Sequence, residues 1–149
     1  MLIREIVEAT QGTLLSGNLE DNISFFTQDS RNVQEGCMYI PLIGERLDGH
    51  QFIEQAFLNG ASAIITDREV EYEDKNVVLV KDTLIALGQM AHYIRTHRNV
   101  KVVGITGSVG KTSTKDMIYS VVSTKYKTLK TLGNYNNQVG LPLTILRHS

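Results

Sequence analysis

One run constrains this chain more than any other: Val102-Val103-Gly104-Ile105-Thr106-Gly107-Ser108-Val109-Gly110-Lys111-Thr112-Ser113. Apolar residues lead into a glycine-rich turn, the turn ends in Gly-Lys-Thr, and a helical pattern follows. Strand, flexible turn, lysine, hydroxyl and helix, in that order, are what a phosphate-binding loop requires. The glycines let the backbone N–H groups of 107–113 crowd around phosphate oxygens, and the helix N-terminus adds a partial positive charge. Lys111 neutralises the outer phosphates, and the Thr112 hydroxyl reaches Mg²⁺. The usual spacing is GxxxxGK[ST]. Five positions before Gly110 stands Ile105, so Gly104 comes one residue early. The plainer reading is a glycine-rich strand-to-helix turn with an exposed lysine.

The remaining composition suits a soluble globular protein. With 149 residues there is room for one ordinary domain, or a small domain and part of another. The net charge of −1 gives no strong pull toward nucleic acid or an acidic membrane surface. Cys37 is the single cysteine and cannot form an internal disulfide, which fits a reducing compartment. The N-terminal residues include Arg4, Glu5 and Glu8, and no apolar stretch is long enough for a signal peptide or a membrane span. A cytoplasmic protein is expected.

In chain order, residues 2–10 predict an amphipathic helix with Ile3, Ile6, Val7 and Thr10 on one face, ended by Gly12. Residues 13–21 read as a loop. Ile23–Thr27 predicts a strand that runs into Asp29-Ser30-Arg31. That triplet is either a turn, since Asp, Ser and Asn32 bond to nearby backbone, or a ligand-binding edge offering a hydroxyl and a guanidinium. Cys37–Ile43 predicts a second strand. Asp48 with Gln51 looks like the capping start of a helix that buries Phe52, Ile53, Ala56 and Phe57 and ends at Gly60. His50 is expected to face solvent.

Strands follow at 61–67 and 77–80, separated by an acidic excursion over 68–76. Asp82 should cap a long helix with Leu84, Leu87, Met90, Ala91 and Ile94 on its buried face. Helices alternating with strands predict an α/β domain with a largely parallel sheet. The polar stretch 95–99 is the expected domain boundary, dividing 1–98 from 99–149. In the second part, a strand over 101–106, a helix with Met117, Ile118, Val121 and Val122 inward, and a strand over 127–131 would form a βαβ unit. The loop Gly133-Asn134-Tyr135-Asn136-Asn137-Gln138 would then lie beside the phosphate loop, a position suited to a site. Gly140–Leu146 reads as a helix with Pro142 in its first turn. With only three residues after it, that helix is expected to have little to pack against, as at a cut within a larger protein.

Taken together, these residues resemble the Mur ligases, ATP-dependent amide-forming enzymes of peptidoglycan precursor synthesis. The loop Thr-Gly-Ser-Val-Gly-Lys-Thr carries that family's glycine spacing. Asp29-Ser30-Arg31 resembles its uridine-site motif, and the segments 44–53 and Gly60-Ala61 resemble its second motif. The asparagine loop with Gly140-Leu141-Pro142 is similar to the branch that adds D-alanyl-D-alanine. The resemblance implies an N-terminal UDP-sugar-binding domain over 1–98 and the truncated start of a P-loop ATPase domain over 99–149.

It further implies ATP and Mg²⁺ as cofactors, with UDP-N-acetylmuramoyl-tripeptide and D-alanyl-D-alanine as the molecules joined in a monomeric enzyme. Phosphate binding would fall to Gly107, Ser108, Val109, Gly110, Lys111, Thr112 and Ser113. Lys111 and Thr112 would be catalytic, and Thr112 would also be a metal ligand. Ser30, Arg31, Gly44, Glu45, Arg46, Asn134, Asn136 and Asn137 would hold the UDP substrate. The family's later carboxylate and its C-terminal domain have no counterpart here, so the polypeptide alone is expected to be inactive. The sister ligase that adds the third amino acid, and a non-catalytic nucleotide-sugar-binding module, are the alternative readings.

Overall fold

A computed structural model describes residues 1–133 and 135–147. Its centre is a five-stranded sheet in the order β1-β5-β4-β3-β2. The strands are β1 (Thr13–Ser16), β2 (Phe25–Thr27), β3 (Cys37–Tyr39), β4 (Ala61–Thr66) and β5 (Asn76–Leu79). The pairs β2–β3, β3–β4 and β4–β5 are parallel, and β1 joins the β5 edge antiparallel. Five helices accompany them: α1 (Ile3–Thr10), α2 (Ile53–Leu58), α3 (Thr83–His97), α4 (Lys111–Val122) and α5 (Gly140–Leu146).

Alternation along the strands builds two cores. Met38, Ala63, Ile65 and Val78 face a large cluster with Ile3 and Ile6 of α1 and Leu87, Met90 and Ile94 of α3. Tyr39, Ile64 and Val77 face a smaller cluster with Ile53 and Ala56 of α2. Both faces of the sheet are covered, which is why its strands are nearly all apolar. Each fully buried Ile, Leu or Met contributes roughly 1.5–3 kcal/mol relative to an exposed one. The Asp82 carboxylate caps α3 by accepting the Ile85 N–H at 2.8 Å, as expected. The parallel α/β reading of the first hundred residues holds.

Several expectations are corrected. Residues 13–16 are a strand, not a loop. The left-handed residue that ends α1 is Gln11, at φ 52°, rather than Gly12. Leu84 is exposed, and Thr83 and Ala86 take its place on the buried face of α3. Residues 101–106 and 127–131 form no strand, because a parallel strand needs a ladder partner and two covered faces, and none lies beside them among the described residues. The apolar residues of α4 do not point inward: Met117 and Val121 are 69% and 71% exposed. The segment 127–131 still lies along α4, through Lys115 Nζ to the Thr131 carbonyl at 2.8 Å and Lys130 to Asp116 at 2.7 Å.

The last helix also departs from expectation. α5 lies against α3 and β2. Leu146 is fully buried in the main core, and Val139, Leu143 and Ile145 pack against that core. The chain therefore leaves the first sheet after α3 and returns to it through α5.

Candidate functional site

In a parallel sheet the carboxyl ends of the strands share one edge, and ligands bind in the crevice outside it. Here the segments after β2, β3 and β4 emerge at that edge and carry Asp29–Arg31, Gly44–Arg46 and Asp67–Arg68. After β2 a 3₁₀ turn covers Ser30–Asn32. The Asp29 carboxylate accepts the Arg31 backbone N–H at 3.0 Å, and its guanidinium at 2.9 and 2.8 Å. These bonds, with the Arg31 side chain foremost, hold the Asp29 carboxyl below its ordinary value. The turn reading of this triplet is correct. It also leaves Arg31 exposed and oriented, with three of its five guanidinium N–H groups still available. The Ser30 carbonyl accepts the Asn59 side-chain amide at 2.8 Å, which fixes the turn against the end of α2.

After β3 the chain makes a small hairpin. Ile43 bridges Asp48, and the Gly44 N–H donates to the Leu47 carbonyl at 2.9 Å. Glu45 and Arg46 occupy its exposed tip. Tyr39, wholly buried, donates its hydroxyl to the Gly49 carbonyl at 2.9 Å just beyond the hairpin. Burial first, then the negative charges of Asp29 and Asp48, push the Tyr39 phenol up to about 12. Tyr39 is thus the point where the two sequence motifs converge. Reading the sequence assigned it only to a strand.

His50 is buried rather than solvent-facing, because its ring is enclosed by two carboxylates. Its Nδ1 lies 2.7 Å from Asp48 Oδ1, and its Nε2 lies 3.0 Å from Asp67 Oδ1. Arg68 pairs with the second oxygen of Asp48. Asp48 caps the 3₁₀ turn Gly49–Phe52 by accepting the His50 N–H at 3.0 Å. That bond is the largest cause holding its carboxyl far below the ordinary value, followed by the His50 ring and Arg68. Asp67 and Arg68 carried no signal in the sequence, since only the parallel pairing of β3 and β4 brings them to the hairpin.

The glycine-rich loop is built as expected at its turn. Gly107 and Gly110 have φ of 151° and 82°. Gly110 stands at the N-cap of α4 and offers no side-chain cap, so the first-turn N–H groups of Lys111, Thr112 and Ser113 are available to an anion. The Lys111 ammonium reaches back to the Gly107 carbonyl across the loop. Ser108, Val109, Thr112 and Ser113 are exposed around it. Farther on, the Asn137 side-chain oxygen accepts the N–H groups of Val139 and Gly140 at 3.2 and 2.7 Å and starts α5. Asn136 is exposed, and Asn134 lies outside the described residues.

Comparison with known proteins bears on both halves. Residues 105–149 match the Mur ligase middle domain. The chain is 45% identical over 147 residues to the UDP-N-acetylmuramoyl-tripeptide--D-alanyl-D-alanine ligase of Bacillus subtilis, covering 97% of this chain and 32% of that protein. The chain is similar to Mur ligases over nearly its whole length. Among solved structures, the UDP-N-acetylmuramoylalanyl-D-glutamyl-2,6-diaminopimelate--D-alanyl-D-alanyl ligase of Acinetobacter baumannii superposes with a TM-score of 0.89 at 36% identity. That match covers 98% of this chain and 33% of that one. The MurF ligase of Thermotoga maritima, solved in complex with ADP, gives 0.73 at 40% identity over 83% of this chain and 29% of that one. The chain thus spans about a third of the length of the Mur ligases it matches.

The loop's donors fit a polyphosphate. Among the described residues no group of three His, Cys, Asp or Glu is placed to hold a metal ion.

Proposed function

We propose that the intact protein is an ATP-dependent ligase joining D-alanyl-D-alanine to UDP-N-acetylmuramoyl-tripeptide. The observation that carries this reading is 45% identity to the Bacillus subtilis ligase across 97% of the chain. Residues 1–98 serve as the UDP-substrate domain and 99–149 begin the ATP-binding domain. In the intact enzyme the terminal carboxylate of the tripeptide is phosphorylated to an acyl phosphate, and the amine of the dipeptide then displaces phosphate. The intact enzyme is, on this reading, monomeric and cytoplasmic.

The chain's own residues supply positioning and charge. Backbone N–H groups of 107–113 bind the phosphates. Lys111, whose ammonium now meets the Gly107 carbonyl, would instead pair with the β/γ-phosphate oxygens, and Thr112 would hold Mg²⁺, which would supply charge neutralisation. Ser30, Arg31 and the turn Gly44–Glu45–Arg46 hold the uridine diphosphate end at the sheet edge. Asn134, Asn136 and Asn137 hold the sugar-proximal part of the substrate. Of these, Asn137 already caps α5, which leaves its amide NH₂ for a ligand.

By itself the 149-residue polypeptide binds uridine nucleotides weakly and turns over no ATP. Calorimetric titration with UDP and a phosphate-release assay test this: binding without release is expected, and steady ATP hydrolysis would contradict it.

A further inference from the structure

The ring of His50 is enclosed by groups from two separate chain segments. Asp48 belongs to the base of the hairpin that presents Gly44, Glu45 and Arg46. Asp67 and Arg68 follow β4. Nδ1 meets Asp48 at 2.7 Å, while Nε2, fully buried, stands 3.0 Å from Asp67 without hydrogen-bond alignment. Arg68 Nη2 donates to the other Asp48 oxygen, and its Nε lies 3.8 Å from Asp67. Two carboxylates, one guanidinium and one imidazole thus form a closed ring of charge.

The hairpin that carries Gly44–Arg46 is closed by the Ile43–Asp48 bridge and the bond from the Gly44 N–H to the Leu47 carbonyl. Its tip residues are exposed, and Ile43 and Leu47 beside them are 64% and 62% exposed. No apolar packing therefore holds the tip. Its placement rests on the backbone bonds of the turn, on the Tyr39 hydroxyl at Gly49, and on the ring around His50. We propose that His50, with Asp67 and Arg68 behind it, is a positioning residue for nucleotide-substrate binding. It clips the Gly44–Arg46 turn to the end of β4 so that the turn meets the uridine diphosphate end in a fixed place. The inference rests on that turn being part of the UDP-substrate site.

The test is steady-state kinetics of the intact ligase carrying His50→Gln, Asp67→Asn, His50→Ala or Arg46→Ala, with thermal melting of each. The expected result is a rise of about tenfold in KM for the UDP substrate in His50→Gln and Asp67→Asn, as for a misplaced binding group. Their kcat and KM for ATP should change by less than about twofold, because uniform binding alone is affected. If His50→Ala does not fold, the two near-isosteric variants decide. An unchanged KM for the UDP substrate in either folded variant, or a parallel loss of kcat and both affinities, overturns the proposal. Arg46→Ala separates the two layers of the argument. If it leaves that KM unchanged, the turn is not in the site and the underlying reading fails. If it raises KM while the clip variants do not, only the clip fails.

Discussion

At the scale of single residues, the phosphate loop separates two kinds of glycine. Gly110 holds φ 82° with open space around the position of a Cβ, so an alanine there would meet no neighbour and would suffer only backbone strain. That strain is roughly 1–2 kcal/mol. In the intact ligase, Gly110→Ala should raise KM for ATP by about tenfold, the factor that 1.4 kcal/mol represents. Gly104 also faces open space, and its φ lies outside the positive range. Gly104→Ala should leave KM for ATP unchanged, and a comparable rise in both variants would show that the early glycine belongs to the working loop. A second residue-scale consequence concerns acid. Because the folded Asp48 carboxyl is depressed by the His50 N–H, the His50 ring and Arg68, its contribution to stability is complete above the ordinary carboxylate range. It is lost progressively as pH falls below that range toward the lower folded value. Melting temperatures from pH 6 down to about pH 3 should therefore fall more steeply in the wild type than in Asp48→Asn; parallel curves would contradict the pairing.

At the scale of elements, α5 is the helix whose packing least follows from its local sequence. Leu146 is wholly buried in the main core, so Leu146→Ala should destabilise the protein by about 2–5 kcal/mol. Urea unfolding measures this, and a loss under 1 kcal/mol would mean that α5 is only loosely docked. Local pattern sufficed for β2 to β5 and, Leu84 apart, for the inner face of α3, because apolar runs and helical spacing report burial directly. It failed at β1, a short edge strand whose exposed and half-buried residues alternate between Gly12 and Gly17 and mimic a loop. It misplaced the end of α1 because Gly12 is needed for a different reason: a Cβ there would come within 2.7 Å of the Leu79 carbonyl. The turn around Asp29 was legible because its bonds are local. The closed arrangement around His50 was not: its contact with Asp48 is local, but Asp67, and Arg68 paired to Asp48, lie 17 and 18 positions beyond His50 and reach the hairpin only through sheet pairing.

At the scale of the whole molecule, the two halves differ in how completely they bury their apolar residues. Residues 1–98 enclose two cores about a covered sheet. Residues 99–139 leave Val102, Val103, Met117 and Val121 largely exposed around a well-shaped phosphate loop. On the proposed reading this loop serves a carboxylate-activating ligase; the chain spans about a third of the length of the Mur ligases it matches. The most direct test is Lys111→Ala in the intact enzyme, followed by ligation of D-alanyl-D-alanine at saturating substrates. Loss of one preorganised charge contact should cost about 3 kcal/mol or more of transition-state stabilisation, on the order of a 100-fold fall in kcat. The affinity for the UDP substrate should remain as in the wild type. Turnover near that of the wild type would contradict the assignment.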